Sequence, residues 1–547
     1  MIKKYARDLK TEFTGYTPTR LRKDLVAGIT VTAVSLPLAL AFAVSCGATA
    51  SMGLITAILA SVVVALFAGG SFQISGPTGT MAAILLTLAQ TYGMQGVWAA
   101  GLVAGVLLVL AGLFKLGKLV SLIPAPVVMG FTPGIALMII IGQIDNMLGV
   151  HTPAAASSAR KLWQYTQVPL SPNPYALLIC GLVVAVMLAW PKKWGTVLPS
   201  PLAALIVGAG VSMAFKLPVE VIGSIPQTLL PPERLNLSAL RTEELRPLLT
   251  AGGSIALLVM IESLLCGEVA SHLKNEKYDA NRDLVALGLG NLVLPFFGGI
   301  PASSAVARTS MAIRSGGQTR LTSLFQAGGL LLSMFLFSPV MSRVPLSALA
   351  GILLVTAWRM NQWHSIRFVF SRRFKGAIAK FLLTMVATVV LDLTQAIILG
   401  VVFSLVLFVF RLSSMSIEVQ DVDLERLALK PEGAAPRMQV AYLTGPIFFA
   451  TIGRLRTQLT ESGDLPDVLI ASMRGVSHMD ISGLYAIQDL HDILKKNNRR
   501  LLLCGLQQQV EAMLRRGGLL DELEGSVFWS ADQAIAAVCR KNTEAAK

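Results

Sequence analysis

Two short stretches concentrate the polar chemistry of a very apolar chain: SGPTGT at 75–80 and GGIPASSAVARTS at 298–310. Each places Gly, Pro and small hydroxyl residues where an apolar helical run begins. No Walker-type phosphate loop and no Cys spacing of a metal site accompanies them. The chemistry they offer is anion binding. A helix N-terminus presents unbonded N–H groups and about half a positive charge, and two such ends facing each other make an anion site. Pro77 suits a first helical turn, where no N–H is required. Gly76 and Gly79 let backbone approach a ligand closely. The plainer alternative is that small residues only let helices cross tightly.

Two ionisable residues join these stretches. Glu262 lies midway along the apolar run LLVMIESLLCG, and Arg308 lies in the second turn after the second interruption. Charged groups at such depth are rare and are functional or paired. Glu262 could take and release a proton over a transport cycle. Arg308 could add positive charge to an anion site. Structural alternatives stand beside both: Glu262 fixed by Arg308 or a helix end, and Arg308 snorkelling to the cytoplasmic side. Glu268 is expected to pair with Lys274 or meet solvent, and Asp145 and Asp392 to be interfacial.

The elements that position these groups are membrane helices. Of 547 residues, 54% are hydrophobic and 14% charged, against about 25% charged in soluble chains; mean hydropathy is +0.65. Fourteen apolar segments are expected, near 24–45, 51–69, 77–91, 95–114, 122–148, 175–190, 197–216, 248–270, 281–298, 302–314, 320–339, 344–358, 376–392 and 394–411. With a cytoplasmic N-terminus, every second loop is basic: Lys115 and Lys118; Lys192 and Lys193; Lys274, Lys277 and Arg282; Arg314 and Arg320; then Arg359 to Lys375. The net charge of +15 therefore reflects cytoplasmic loops, not nucleic-acid binding. Residues 1–23 read as a cytoplasmic segment rather than a signal peptide. Both interruptions open the third of seven segments, one in each half (about 24–216 and 248–411), the pattern of an inverted-repeat transporter. Pro37 adds a break in the first span, and Phe42, five residues on, lines a cavity or faces lipid. Residues 412–547 alternate strands and helices, as in a small cytoplasmic α/β domain.

PLALAFAVSCGA, FQISGPTGTM, IESLLCGEVA, the run from NRDLVALG to GGQTR and the C-terminal domain together resemble the sulfate permease (SulP) family, relatives of the solute carrier 26 anion transporters. The resemblance implies a seven-plus-seven inverted repeat with core and gate domains, elevator-like movement, a dimer, and a cytoplasmic C-terminal STAS domain. It places Phe42, Thr78, Ser304 and Ala305 at anion-site positions. Within the family the likeness leans to a bacterial C4-dicarboxylate transporter. Leu38 stands where many members carry Gln. Sodium-coupled bicarbonate members have Asp where Glu262 stands and Thr where Val306 stands. Valine offers no side-chain oxygen to sodium, which favours protons as the coupling ion.

The expectation is a transporter of the bacterial inner membrane and not an enzyme, with both termini cytoplasmic and no cofactor beyond the proton. Its substrate is a small organic anion such as succinate or fumarate. Alternatives are an inorganic-anion carrier for sulfate, bicarbonate or chloride, and an anion channel or STAS-linked sensor. In the STAS signature loop, Ile481 occupies the position phosphorylated in anti-sigma-factor antagonists. That argues against phosphoregulation by that route and favours an interaction role, with a protein partner, or a trafficking role for this domain over nucleotide chemistry. Asp480 and Ser482 are expected to cap the following helix.

Overall fold

The computed structural model describes residues 2–545 apart from 118–124, 154–157, 168–170, 192–193, 195–197, 224, 226, 237, 239–244, 277, 392, 414, 425–435 and 460–464. Lys118, Lys192, Lys193, Lys277 and Asp392 lie outside the described residues. The chain divides into two units, Met1–Val402 and Phe403–Lys547.

The first unit is helical. Its first half holds α1 (Ile2–Phe13), α2 (Pro18–Ser45), α3 (Ala50–Phe67), α4 (Ala82–Leu113), α5 (Ala125–Gly142), α6 (Ile144–Leu148), α7 (Ser158–Tyr165), α8 (Pro174–Ala189) and α9 (Ser200–Ala214). The second half holds α10 (Leu245–Lys274), α11 (Ala280–Val293), α12 (Val306–Arg314), α13 (Leu321–Leu336), α14 (Ser338–Met341), α15 (Leu346–Met360), α16 (Trp363–Ser371), α17 (Lys375–Val390) and α18 (Leu393–Leu412), the last running across the division. Among the described residues, five helical stretches are long and apolar enough to cross a membrane by length and composition. One of them lies in α4, which is two helices joined at Gly93, whose φ of 64° breaks the helical run.

Packing is reciprocal between the halves. α2 packs on α13 as α10 packs on α4, and α3 packs on α13 as α11 packs on α4. A second group, α5, α8, α9, α15 and α17, packs mainly within itself. Where α4 meets α11, Gly105 and Gly288 face each other. A Cβ on either would lie 2.8–3.0 Å from the other's chain, so only hydrogen fits. Exposed Leu107, Leu110, Ile206, Leu332, Phe335 and Phe408 give the outside an apolar surface suited to lipid.

The sequence places Arg282 and Arg320 in loops, but both are buried. The reason is the C-terminal end of α3, whose last carbonyls lack helical partners. Arg282 donates to Ala68 O at 2.6 Å, and Arg320 to Ala65 O at 3.0 Å. α1 then covers both guanidinium groups. Asp8 pairs with Arg282 at 2.9 Å and Glu12 with Arg320 at 2.8 Å. The Tyr5 ring lies 4.6 Å from one and 5.9 Å from the other. Pro37 does not break α2, which runs through it. α3 seats closely on α2 just beyond Pro37: a Cβ on Gly53 would meet Ala39 O at 2.2 Å.

The second unit is an α/β sheet in the order β3 (Ser416–Asp421), β4 (Met438–Thr444), β5 (Val468–Gly475), β6 (Arg500–Cys504), β7 (Val527–Phe528). β3 is antiparallel to β4, and the remaining pairs are parallel. Helices α19 (Ile452–Leu459), α20 (Ile481–Lys496), α21 (Gln508–Arg516), α22 (Leu519–Glu522) and α23 (Ala531–Ala545) complete it. Asp480 caps α20, accepting from Gly483 N at 2.8 Å. Ser482 lies inside that helix and is not its cap.

Breaking a buried ion pair costs about 3–5 kcal/mol. Arg320→Ala should therefore lower the melting temperature of the detergent-solubilised protein by several degrees. Exposed Arg343→Ala should leave it unchanged. Equal melting of the two variants would show that the α1 clamp adds no stability.

Candidate functional site

Both interruptions are extended rather than helical, and they pair with each other. β1 (Ser75–Gly76) and β2 (Ser303–Ser304) form an antiparallel bridge, Ser75 opposite Ser304 and Gly76 opposite Ser303. The flanking backbone is satisfied by side chains from neighbouring helices. Ser61 of α3 donates to Ser75 O at 2.9 Å. Thr309 of α12 accepts from Ile74 N at 3.1 Å, and Ser263 of α10 accepts from Ser304 N at 3.0 Å. Asn291 of α11 bonds both the N–H and the C=O of Ala302, at 2.8 and 2.9 Å.

Helical structure resumes after Thr78 on one side and after Ala305 on the other, and neither cap residue offers a side-chain hydrogen bond to the helix it begins. The first-turn N–H groups on both sides are thus free of capping side chains. Pro77 is not in a first helical turn, as the sequence suggested. It precedes the extended Thr78, and its carbonyl accepts from Arg308 Nη2 at 3.0 Å.

Glu262 and Arg308 approach this crossing separately. Glu262 Oε2 accepts hydroxyl hydrogen bonds from Ser303 at 2.5 Å, Thr80 at 2.7 Å and Thr78 at 3.1 Å. Arg308 is 1% exposed, so it does not snorkel, and its Nη1 has no hydrogen-bond partner. Glu262 is held by hydroxyls and Arg308 by a backbone carbonyl, not by each other. Glu268 is exposed, and Lys274 pairs instead with Glu276 at 2.7 Å.

The remaining residues named from the sequence take different positions. Phe42 is buried and faces inward, against Gly79. Ser304 is fully buried, its hydroxyl 3.1 Å from both Ser75 Oγ and Gln73 Oε1. Ala305 donates its N–H to Ile74 O at 3.1 Å. Gly79 alone of the residues named for the anion site borders the main cavity. With Thr80 it borders a cavity of about 640 Å³ that reaches Ser45 at the end of α2, Gln90, Tyr92, Gln143 and the segment after α6. The mouth lies at the end of α2 away from α1. Thr80, Ser303, Ser263 and Gln73 were missed as site residues. Thr80 and Ser303 stand inside the quoted stretches, and their closeness to Thr78 and Ser304, two residues and one residue away, was the available signal.

A helical membrane unit with two uncapped half-helices crossing beside a cavity, followed by an α/β unit, defines an anion transporter of inverted-repeat design. The chain belongs to the sulfate permease family, which it matches over residues 21–374, and residues 434–534 match the STAS domain. YvdB of Bacillus subtilis, which carries a provisional sulfate-transporter name, is 34% identical over 532 residues, covering 96% of this chain and 98% of that protein. The bicarbonate transporter BicA of Picosynechococcus is 29% identical over 522 residues, covering 91% and 90%. The solved transmembrane domain of a cyanobacterial BicA superposes with a TM-score of 0.63 at 27% identity, covering 71% of this chain and 98% of that one. Murine Slc26a9 shares the fold, with a TM-score of 0.81 at 18% identity over 96% of this chain and 92% of that one.

A Cβ on Gly79 would lie 2.6 Å from Ile139 Cδ1, the end of a side chain that lines the cavity, and 2.7 Å from the edge of the buried Phe42 ring. A Cβ on Gly76 would lie 2.8 Å from Arg308 Nη1, at a φ of 149° that disfavours any side chain. Gly79→Ala should keep its melting temperature and weaken anion binding. Gly76→Ala should lose about 1–3 kcal/mol of stability. Melting curves with and without sulfate or bicarbonate separate the two; the reverse ranking would misplace the cavity floor.

Proposed function

We propose that this protein is a secondary transporter of small inorganic anions, of the sulfate or bicarbonate class, in the bacterial inner membrane. The anion is held at the half-helix starts formed by Thr78–Thr80 and Ala305–Arg308, beside Phe42, with Ser304 bracing the crossing. The observation that carries this reading is the pair of uncapped half-helix N-termini backed by a buried guanidinium whose Nη1 is unpartnered. The relatives' names support inorganic substrates over the organic anion that the sequence put first. The C4-dicarboxylate reading stands second, favoured by a cavity of about 640 Å³, which admits succinate or fumarate.

The proposed architecture has fourteen spans in two inverted repeats, both termini cytoplasmic, a transporter domain over 24–411 and a STAS domain over 412–547, in a homodimer. In that orientation the cavity opens to the outside, so the conformation is outward-open. α2, α3, α4 and α10–α13 form the moving core; α5, α8, α9, α15 and α17 form the gate.

Protons are the proposed coupling ion, with Glu262 their carrier. Carrying one negative charge inward against the membrane potential costs about 2.3 kcal/mol per 100 mV, and a co-moving proton cancels it. Glu262 shares hydroxyl partners with the substrate-site loop, so its protonation changes what Thr78, Thr80 and Ser303 can donate elsewhere.

Uptake of labelled sulfate, bicarbonate, chloride, succinate and fumarate into proteoliposomes, with and without an inward proton gradient, tests both substrate and coupling. Sulfate or bicarbonate uptake is expected; uptake of succinate alone would restore the organic-anion reading. Glu262→Gln should keep folding and anion binding but lose the stimulation by the gradient. Equal stimulation in wild type and variant would remove Glu262 from the coupling. Arg308→Ala should weaken anion affinity more than stability, with partial rescue by Lys, which restores charge without the planar fork.

A further inference from the structure

The mouth of the cavity carries its own charge. Lys161 of α7 and Asp145 of α6 line the same cavity as Gly79 and Thr80. Among the described residues lining it, Lys161 is the one Lys or Arg. The other polar lining among the described residues, including Gln90, Gln143, Asn146 and Thr250, is neutral apart from Asp145, His151 and the phenol of Tyr92. His151 points to Glu220, 3.3 Å away, and is largely exposed.

Lys161 Nζ lies 2.7 Å from Asp145 Oδ2, with side chains only 16% and 20% exposed. This is not a pair that holds Asp145 alone. Tyr165 donates to Asp145 Oδ1 at 2.7 Å, and the Thr152 hydroxyl lies 2.9 and 3.1 Å from its two oxygens. If the ammonium left, the carboxylate would keep these hydroxyl donors, so it would not be stranded. Lys161 Nζ also donates to the Thr152 hydroxyl and to Pro153 O at 3.3 Å, so two of its three donors stay anchored while the one facing Asp145 can turn to an arriving oxyanion. Its long flexible stem suits such a swing, and among the described residues lining the cavity no other Lys or Arg competes for the anion.

We propose that Lys161 is an outer anion station, held ready against Asp145, which receives the substrate oxyanion before it reaches the half-helix starts. The station rests on the anion-transport reading above. It makes Asp145 a competitor for the site: removing the carboxylate frees the cation, whereas removing the cation empties the station. A pair serving only to fasten α7 over the mouth has the opposite signature, because losing either partner loosens the same contact.

The test uses the full-length protein with Lys161→Gln, Lys161→Arg and Asp145→Asn. Sulfate and bicarbonate affinities are measured by calorimetry in detergent, and KM and maximal rate by uptake into proteoliposomes. Lys161→Gln should raise KM and Kd about fivefold, the scale of a partly exposed charge contact, with little change in maximal rate. Asp145→Asn should shift both the other way by a similar factor, and Lys161→Arg should stay near wild type. The Lys161→Gln loss should shrink at high ionic strength. Shifts in the same direction for Asp145→Asn and Lys161→Gln, or no shift in either, overturn the station. If Asp145→Asn fails to fold, the contrast between Lys161→Gln and Lys161→Arg decides. If wild type takes up neither anion, the transport reading fails, while the affinities in detergent still decide the station.

Discussion

The membrane unit depends on one constraint: backbone that is not helical must still have its N–H and C=O groups bonded, because hydrocarbon offers none. Residues 74–76 and 302–305 meet it by bonding to each other and to side chains from four different helices, α3, α10, α11 and α12. The polar residues that look scattered in the sequence, Ser61, Ser263, Asn291 and Thr309, are in these places for that reason. Their side chains are spent on the strand-like segments. The half-helix starts just beyond are left uncapped, and the fold thereby holds two sets of donors at one point without consuming them.

The same difficulty recurs at the end of α3, and it is solved by charge rather than by hydroxyls. Arg282 and Arg320 cap the free carbonyls, and α1 neutralises the guanidinium groups with Asp8 and Glu12. Both arginines come from the second half of the chain, so the clamp joins α1, α3, α11 and α13 at one end of the core. Among the described residues the opposite end has no such clamp, and the cavity opens there. The asymmetry between a charge-closed end and an open end is thus built from where the helix termini find their partners.

The sequence showed the membrane class, both interruptions, the α/β unit and the two embedded charges, because apolar length, Gly-Pro clusters and isolated ionisable residues are local signals. It did not show that Arg282 and Arg320 are buried, since a basic residue between two apolar runs looks the same whether it meets water or a helix end 200 residues away. Pro37 looked like a break because its lost hydrogen bond is local, whereas the packing of α2 on α3 and α13 is not. Thr80 and Ser303 were overlooked beside Thr78 and Ser304, because which hydroxyl of a cluster faces Glu262 depends on the pairing of β1 with β2. The vestibule around Lys161 had no local signal either: its charge matters only because α7 lies over a cavity whose floor is 80 residues earlier.

On the proposed reading, charge at the crossing also bears on which anion is carried. Arg308 touches the Pro77 carbonyl and Glu262 touches the next residue, Thr78, so both charges act on the same point. Each half-helix start contributes about half a positive charge. With Glu262 ionised, the guanidinium and carboxylate cancel, and the two helix ends balance a monoanion such as bicarbonate. With Glu262 protonated, the guanidinium adds to the helix ends, and the sum balances a dianion such as sulfate. Proton and anion would then favour each other reciprocally, without any side chain passing from one to the other.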